Sequence, residues 1–193
     1  MQPKTNLYFI AIIPPEPIYS EVRDWQHHIA DTCHSKEALK APPHITLIPP
    51  FSQPPEKEKE IIAFIEKFVR KQKPFELSIN SFASFGVGVI YAAFEKNDTL
   101  KKMEKEFSLS FRKKFNVESS SGFAFTPHIT LAFKDLTPPM FELAWKEYKD
   151  KLYRRKWMLK YICLLRHNFK EWEIVEHAEL KGEHIGETIE LGF

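Results

Sequence analysis

The chain has 193 residues, 43% apolar and 28% charged, an ordinary globular composition with length for one domain or two fused halves. Its 28 basic and 26 acidic residues leave a formal charge of +2, too small to mark a general nucleic-acid binder. The longest apolar run, residues 7–13, is too short for a membrane span or a signal-peptide core, and Cys33 and Cys163 are far apart in sequence, so a cytoplasmic protein without disulfides or a membrane partner is expected.

That apolar run is β-rich and stops at Pro14-Pro15, which predicts a buried strand. Ile18, Val22, Trp25 and Ile29 then recur at helical spacing. A strand follows, opened by Pro42-Pro43 and closed by Pro49-Pro50, and then a helix with Ile61, Ile62, Ile65, Phe68 and Val69 on one face. Residues 75–82 alternate as a strand, Gly86 and Gly88 mark a turn, and residues 89–94 form its hairpin partner. The pattern then restarts. Leu100, Met103, Phe107, Phe111 and Phe115 form a helical stripe, residues 119–122 a loop, and residues 129–133 a strand. Pro138-Pro139 opens a helix with Phe141, Trp145, Tyr148 and Leu152 on one face, and residues 157–165 and 172–180 read as a closing pair of strands. The expected layout is α+β or mixed α/β, built from two similar halves in one bilobal body with a pseudo-two-fold relation that brings the two motif strands together. Residues 1–180 make the single bilobal domain, and residues 181–193 a C-terminal strand or tail. Internal symmetry makes a monomer the expected state.

Pro43-His44-Ile45-Thr46-Leu47 returns as Pro127-His128-Ile129-Thr130-Leu131. On a strand, alternate side chains share a face, so each copy presents a histidine and a hydroxyl on one side and two apolar residues on the other. Core packing alone would preserve the apolar positions of a repeat, with no reason to preserve both polar ones. An imidazole titrates near neutral pH, so two of them on opposite sides of one reacting atom can act as base and acid. The adjacent hydroxyls can donate to an anionic centre. The combination suits a phosphodiester, with His44 and His128 as the catalytic pair, either serving as base, and Thr46 and Thr130 binding the phosphate. Neither a metal nor another cofactor is needed to make the nucleophile.

Two HxT motifs, one per half, give the chain a resemblance to the 2H phosphoesterase superfamily, in particular to the bacterial 2′-5′ RNA ligase and RNA 2′,3′-cyclic phosphodiesterase group. The resemblance extends over most of the chain, from Leu7 to about Leu180, and the spacing of His44 and His128 suits that family. It implies an α+β, bilobal pseudo-two-fold fold with two antiparallel sheets around a central cleft and helices packed outside, and metal-independent hydrolysis of cyclic phosphodiesters, with a small nucleotide or an RNA end bearing a cyclic phosphate as partner. Two alternatives follow from the same residues. One is reversible 2′-5′ RNA ligation. The other is a nucleotide- or RNA-binding module without turnover. The family's conspicuous arginine after the second motif is missing, and Lys134 and Arg166 are the candidate cations in its place.

Phe51, Phe85 and Phe133 lie beside the motif strands or the Gly86 turn and are candidates to stack on a base. The remaining histidines suggest no metal site. His27 and His28 diverge around a helix, and His167, His177 and His184 lack partners at zinc-site spacing. Gly86-Val87-Gly88 lacks the lysine of a phosphate-binding P-loop.

Overall fold

A computed structural model describes residues 5–118 and 124–183. The expected loop at residues 119–122 and most of the expected tail, including His184, lie outside the described residues. The elements run β1 (Asn6–Ile12), α1 (Ile18–Cys33), β2 (Ile45–Gln53), α2 (Glu58–Arg70), β3 (Phe75–Phe85), β4 (Val89–Phe94), α3 (Asp98–Phe115), β5 (His128–Ala132), α4 (Pro138–Tyr148), β6 (Arg154–Leu159), β7 (Tyr161–His167) and β8 (Trp172–Glu179). Short 3₁₀ turns occupy Glu37–Lys40 and Pro55–Lys57.

The strands form two four-stranded antiparallel sheets, ordered β2-β1-β7-β8 and β5-β4-β3-β6. Each motif strand is the edge of its sheet, paired with the strand that precedes it by one helix. The unit β1-α1-β2 is thus repeated as β4-α3-β5. The helices cross over between the lobes. Helix α1 packs on β5 and α4, whereas α3 packs on β2. Trp25 of α1 meets Phe82 of β3 edge-on at 5.0 Å, and Phe111 of α3 meets Phe51 of β2 at 5.2 Å. Aromatic contacts between Phe64 of α2 and Phe107, Phe111 and Phe115 of α3 close that side. Each lobe is therefore clamped by a helix that the chain reaches from the opposite sheet.

Three sequence expectations need correction. Residues 157–165 are two strands belonging to different sheets. The chain passes between them at Lys160, whose carbonyl accepts from the Leu180 amide at 2.8 Å. β6 is an exposed, charged edge that discourages further pairing, and β7 is buried in the middle of the other sheet. Second, Pro49-Pro50 does not close β2, which runs on to Gln53. An edge strand tolerates proline because one row of its amides needs no partner, and register shifts against β1 fall in this stretch. Third, α4 stops at Tyr148, and Leu152 lies beyond it, 76% exposed.

The core shows period two directly. Tyr8, Ile10 and Ile12 of β1 and Ile162 and Leu164 of β7 enter the main core, while Phe9, Ala11, Cys163 and Leu165 form a second cluster on the opposite face of the same sheet. That second face carries the first motif's polar residues. Cys33 and Cys163 are both buried and free. Among the described residues, no helix is long and apolar enough to cross a membrane.

Candidate active site

Ile45 and Leu47, and likewise Ile129 and Leu131, lie in the core. His44, Thr46, His128 and Thr130 are partly exposed on the other side of their strands. Both histidines are locked in the same way. His44 Nδ1 lies 2.6 Å from the Pro42 carbonyl oxygen, and His128 Nδ1 lies 2.7 Å from that of Thr126. A carbonyl can only accept, so each Nδ1 carries the proton and donates it. This fixes the tautomer and makes each Nε2 the basic atom, with no hydrogen-bond partner among the described residues. The donor–acceptor pair is intramotif, two residues back along the chain, so the repeat encodes it twice.

The surroundings of the two rings differ. His44 tilts against Phe9, 4.9 Å between centroids, and Phe9 is in turn covered by Trp172 at 4.5 Å. Burial pushes His44 down to about 4, and the nearby charges of His128 and Arg23 act in the same direction. His128 is packed by Phe85 and Tyr91, at 5.1 and 5.2 Å, and burial lowers it as well. Both rings are therefore neutral near pH 7 in the free protein. A charge on His128 disfavours a second charge on His44.

Several long-range contacts hold the first motif in place. Arg23 of α1 donates to the carbonyls of Leu39 (3.3 Å) and Ala41 (2.8 Å), just before Pro42. Asp135, beyond β5, accepts from the Ser35 hydroxyl at 2.7 Å and from the amides of Lys36 and Glu37 at 2.7 and 3.1 Å. The approach to His44 is thus tied to the end of the second motif strand. Gln26 of α1, buried, donates to the Thr130 carbonyl at 2.8 Å and holds β5 from behind.

A cleft of about 930 Å³ opens beside the motifs. Thr46, Thr126, His128 and Phe85 line it, and α3 supplies a wall of Glu104, Lys105, Ser108, Leu109 and Arg112. Phe85 is 41% exposed there and stacks on Tyr91 at 4.3 Å. The structure does not bring the other candidate contacts to this wall. Phe51 is in the core between Tyr8 and Phe111. Phe133 carries the Lys134 ammonium over its ring at 5.1 Å, in the turn after β5. Arg166 is held by two carboxylates, with Nη1 2.7 Å from Glu58 and Nη2 2.6 Å from Glu173.

The α3 wall and Arg23 escaped sequence reasoning. Glu104, Ser108 and Arg112 recur every four residues beside the apolar stripe, a pattern indistinguishable from an ordinary solvated helix face. Of the other histidines, His28 pairs with Glu147 at the surface, 2.9 Å, and His177 sits 3.4 Å from Cys163. Among the described residues, no three His, Cys, Asp or Glu side chains gather as metal ligands.

Comparison with known proteins agrees with this architecture. The family model for the 2′-5′ RNA ligase superfamily matches residues 14–171. A relative from Geobacillus sp. (strain WCH70), provisionally named a phosphoesterase, is 29% identical over 126 residues, covering 64% of this chain and 67% of the relative. The crystal structure of TT0787 of Thermus thermophilus superposes with a TM-score of 0.70 at 20% identity, covering 93% of this chain and all (100%) of the other. Apo LigT of E. coli superposes with a TM-score of 0.65 at 14% identity, covering 92% and 98%, and LigT has also been solved with 3′-AMP. By the matched span of its sequence, and in keeping with its two HxT strands, the chain belongs to the 2′-5′ RNA ligase superfamily, the 2H phosphoesterases.

Proposed function

We propose that the protein hydrolyses 2′,3′-cyclic phosphodiesters at nucleotide or RNA ends without a metal, using His44 and His128 as an acid–base pair. The observation that carries this reading is the matched Nδ1-to-carbonyl lock, which leaves two free Nε2 atoms on the faces that also carry Thr46 and Thr130. The nucleotide 3′-AMP, with which LigT was solved, is of the size and chemistry the cleft would take.

One neutral histidine accepts a proton from water through Nε2 as the water oxygen attacks phosphorus. The P–O bond to one ribose oxygen breaks, and the other histidine, protonated, delivers its proton to that oxygen. A phosphomonoester and a free hydroxyl result. Thr46 and Thr130 donate to the non-bridging oxygens, where charge accumulates. Burial keeps both rings neutral in the free protein. An arriving phosphate anion favours the charged imidazolium and so supplies the condition for loading the acid. A module that only binds nucleotides would need neither histidine locked in one tautomer.

Phosphorus NMR of 2′,3′-cyclic mononucleotides and cyclic-ended oligonucleotides, incubated with the protein in EDTA, tests this reading. Conversion to phosphomonoesters is expected. Inertness toward every substrate, or activity abolished by EDTA and restored by a divalent metal, would overturn it. Labelled RNA halves carrying a cyclic phosphate and a 5′-hydroxyl distinguish joining from hydrolysis by product length.

A further inference from the structure

The α3 wall contains a carboxylate in an unexpected place. A cleft built for a phosphate should exclude negative charge, yet Glu104 lines it, partly buried. Burial pushes its carboxyl above the usual range, and the Ser108 hydroxyl and the Arg112 charge offset this only in part. Among the described residues no cation forms an ion pair with it. The Arg112 guanidinium, two turns further on, donates to the Glu118 carbonyl. A partly buried carboxylate that takes a hydrogen bond from the Ser108 hydroxyl and forms no ion pair among the described residues still has lone pairs to offer a ligand's donors.

The surroundings indicate what brings those donors. Leu109, on the same wall, is 61% exposed, and Phe85, which also lines the cleft, is 41% exposed. Two exposed apolar groups in the same cleft as an acceptor suit a flat ring with N–H groups on its edge. An ionised carboxylate accepts only, and it is best satisfied by two adjacent N–H donors. Among the RNA bases, guanine alone offers such a pair, N1–H beside its 2-amino group. Adenine and cytosine place an acceptor nitrogen next to their amino group, and uracil flanks its single N–H with two carbonyls.

We propose that Glu104 is a specificity-determining residue that reads the base of the bound nucleotide and selects guanine. The proposal rests on the nucleotide-end reading above, but it concerns binding and can be tested without turnover. Calorimetric titration of the full chain with 3′-GMP, 3′-AMP, 3′-UMP and 3′-CMP should show 3′-GMP binding roughly tenfold tighter or more, the size of one bidentate base contact. Glu104→Gln should level or reverse that preference and leave 3′-AMP binding at least as strong, because an amide can pair with adenine. Equal affinity for all four nucleotides, no nucleotide binding at all, or a guanine preference that survives Glu104→Gln would overturn the proposal. A guanine preference without hydrolysis of any cyclic nucleotide would overturn the hydrolytic reading alone. Hydrolysis without base preference would overturn this inference alone.

Discussion

His44 and His128 occupy equivalent places in the two lobes and hold the same hydrogen bond, yet their environments are unequal. His44 sits against buried Phe9, behind a segment anchored by Arg23 and Asp135. His128 borders the open cleft, between Phe85 and Tyr91. The repeat holds the two imidazoles and the backbone that orients them in common, while the packing around each differs. In a reaction that needs a base and an acid at the same moment, such divergence gives two identical groups different proton affinities.

The largest effect should come from removing either ring. His44→Asn or His128→Asn should lower kcat for a 2′,3′-cyclic nucleotide by ~10²–10⁴-fold, measured under saturating substrate. A loss confined to one lobe would reduce the pair to a single catalyst and a spectator. Next, Thr46→Val and Thr130→Val should each lower kcat on the order of 10²-fold if both lobes hold the phosphate as its charge builds up. An effect limited to KM would instead assign the hydroxyls to ground-state binding.

The third contrast concerns stability. His44 has a folded pKa of about 4, below its unfolded value near 6.5. In this window the unfolded chain binds more protons than the folded one, so its stabilising neutral form is fully present above pH ~6.5 and progressively penalised as pH falls toward 4. The penalty reaches at most about 3 kcal/mol. Urea unfolding across that window should show the slope, and His44→Gln should flatten it. Loss of Arg23 should act on one lobe alone. Arg23→Gln removes the two-pronged hold on the Leu39 and Ala41 carbonyls and should lower kcat about tenfold through misplacement of His44. It should also raise the pKa of His44 in an NMR titration and leave that of His128 unmoved. The smallest effect is expected at Arg166, where substitution by Gln should lower stability slightly and leave kcat/KM unchanged, since its guanidinium already serves Glu58 and Glu173.

Much of this was legible because it is periodic. Strict alternation in the two PHITL copies assigned Ile45, Leu47, Ile129 and Leu131 to the core and the polar residues to the other face. The stripe Leu100, Met103, Phe107, Phe111 and Phe115 is buried along α3 as its spacing requires. Illegible features depend on partners distant in sequence. Arg166 is a phosphate candidate until Glu58, 108 residues away, is brought beside it. Phe51 looked like a stacking residue because it follows the first motif. Parity with Ile45 and Leu47 already pointed it inward, and the register shifts against β1 fall in pairs and preserve that orientation. The break at Lys160 has no glycine or proline to announce it, so residues 157–165 look like one continuous strand in the sequence. The α3 wall became a cleft wall only because α3 crosses to the other lobe.

The central claim is that the two histidines act as one unit, and a double-mutant cycle on kcat tests it most directly. If base and acid operate in the same step, the variant lacking both His44 and His128 should be no slower than the slower single variant. Losses that multiply in the double variant, or wild-type turnover in either single variant, would contradict the account.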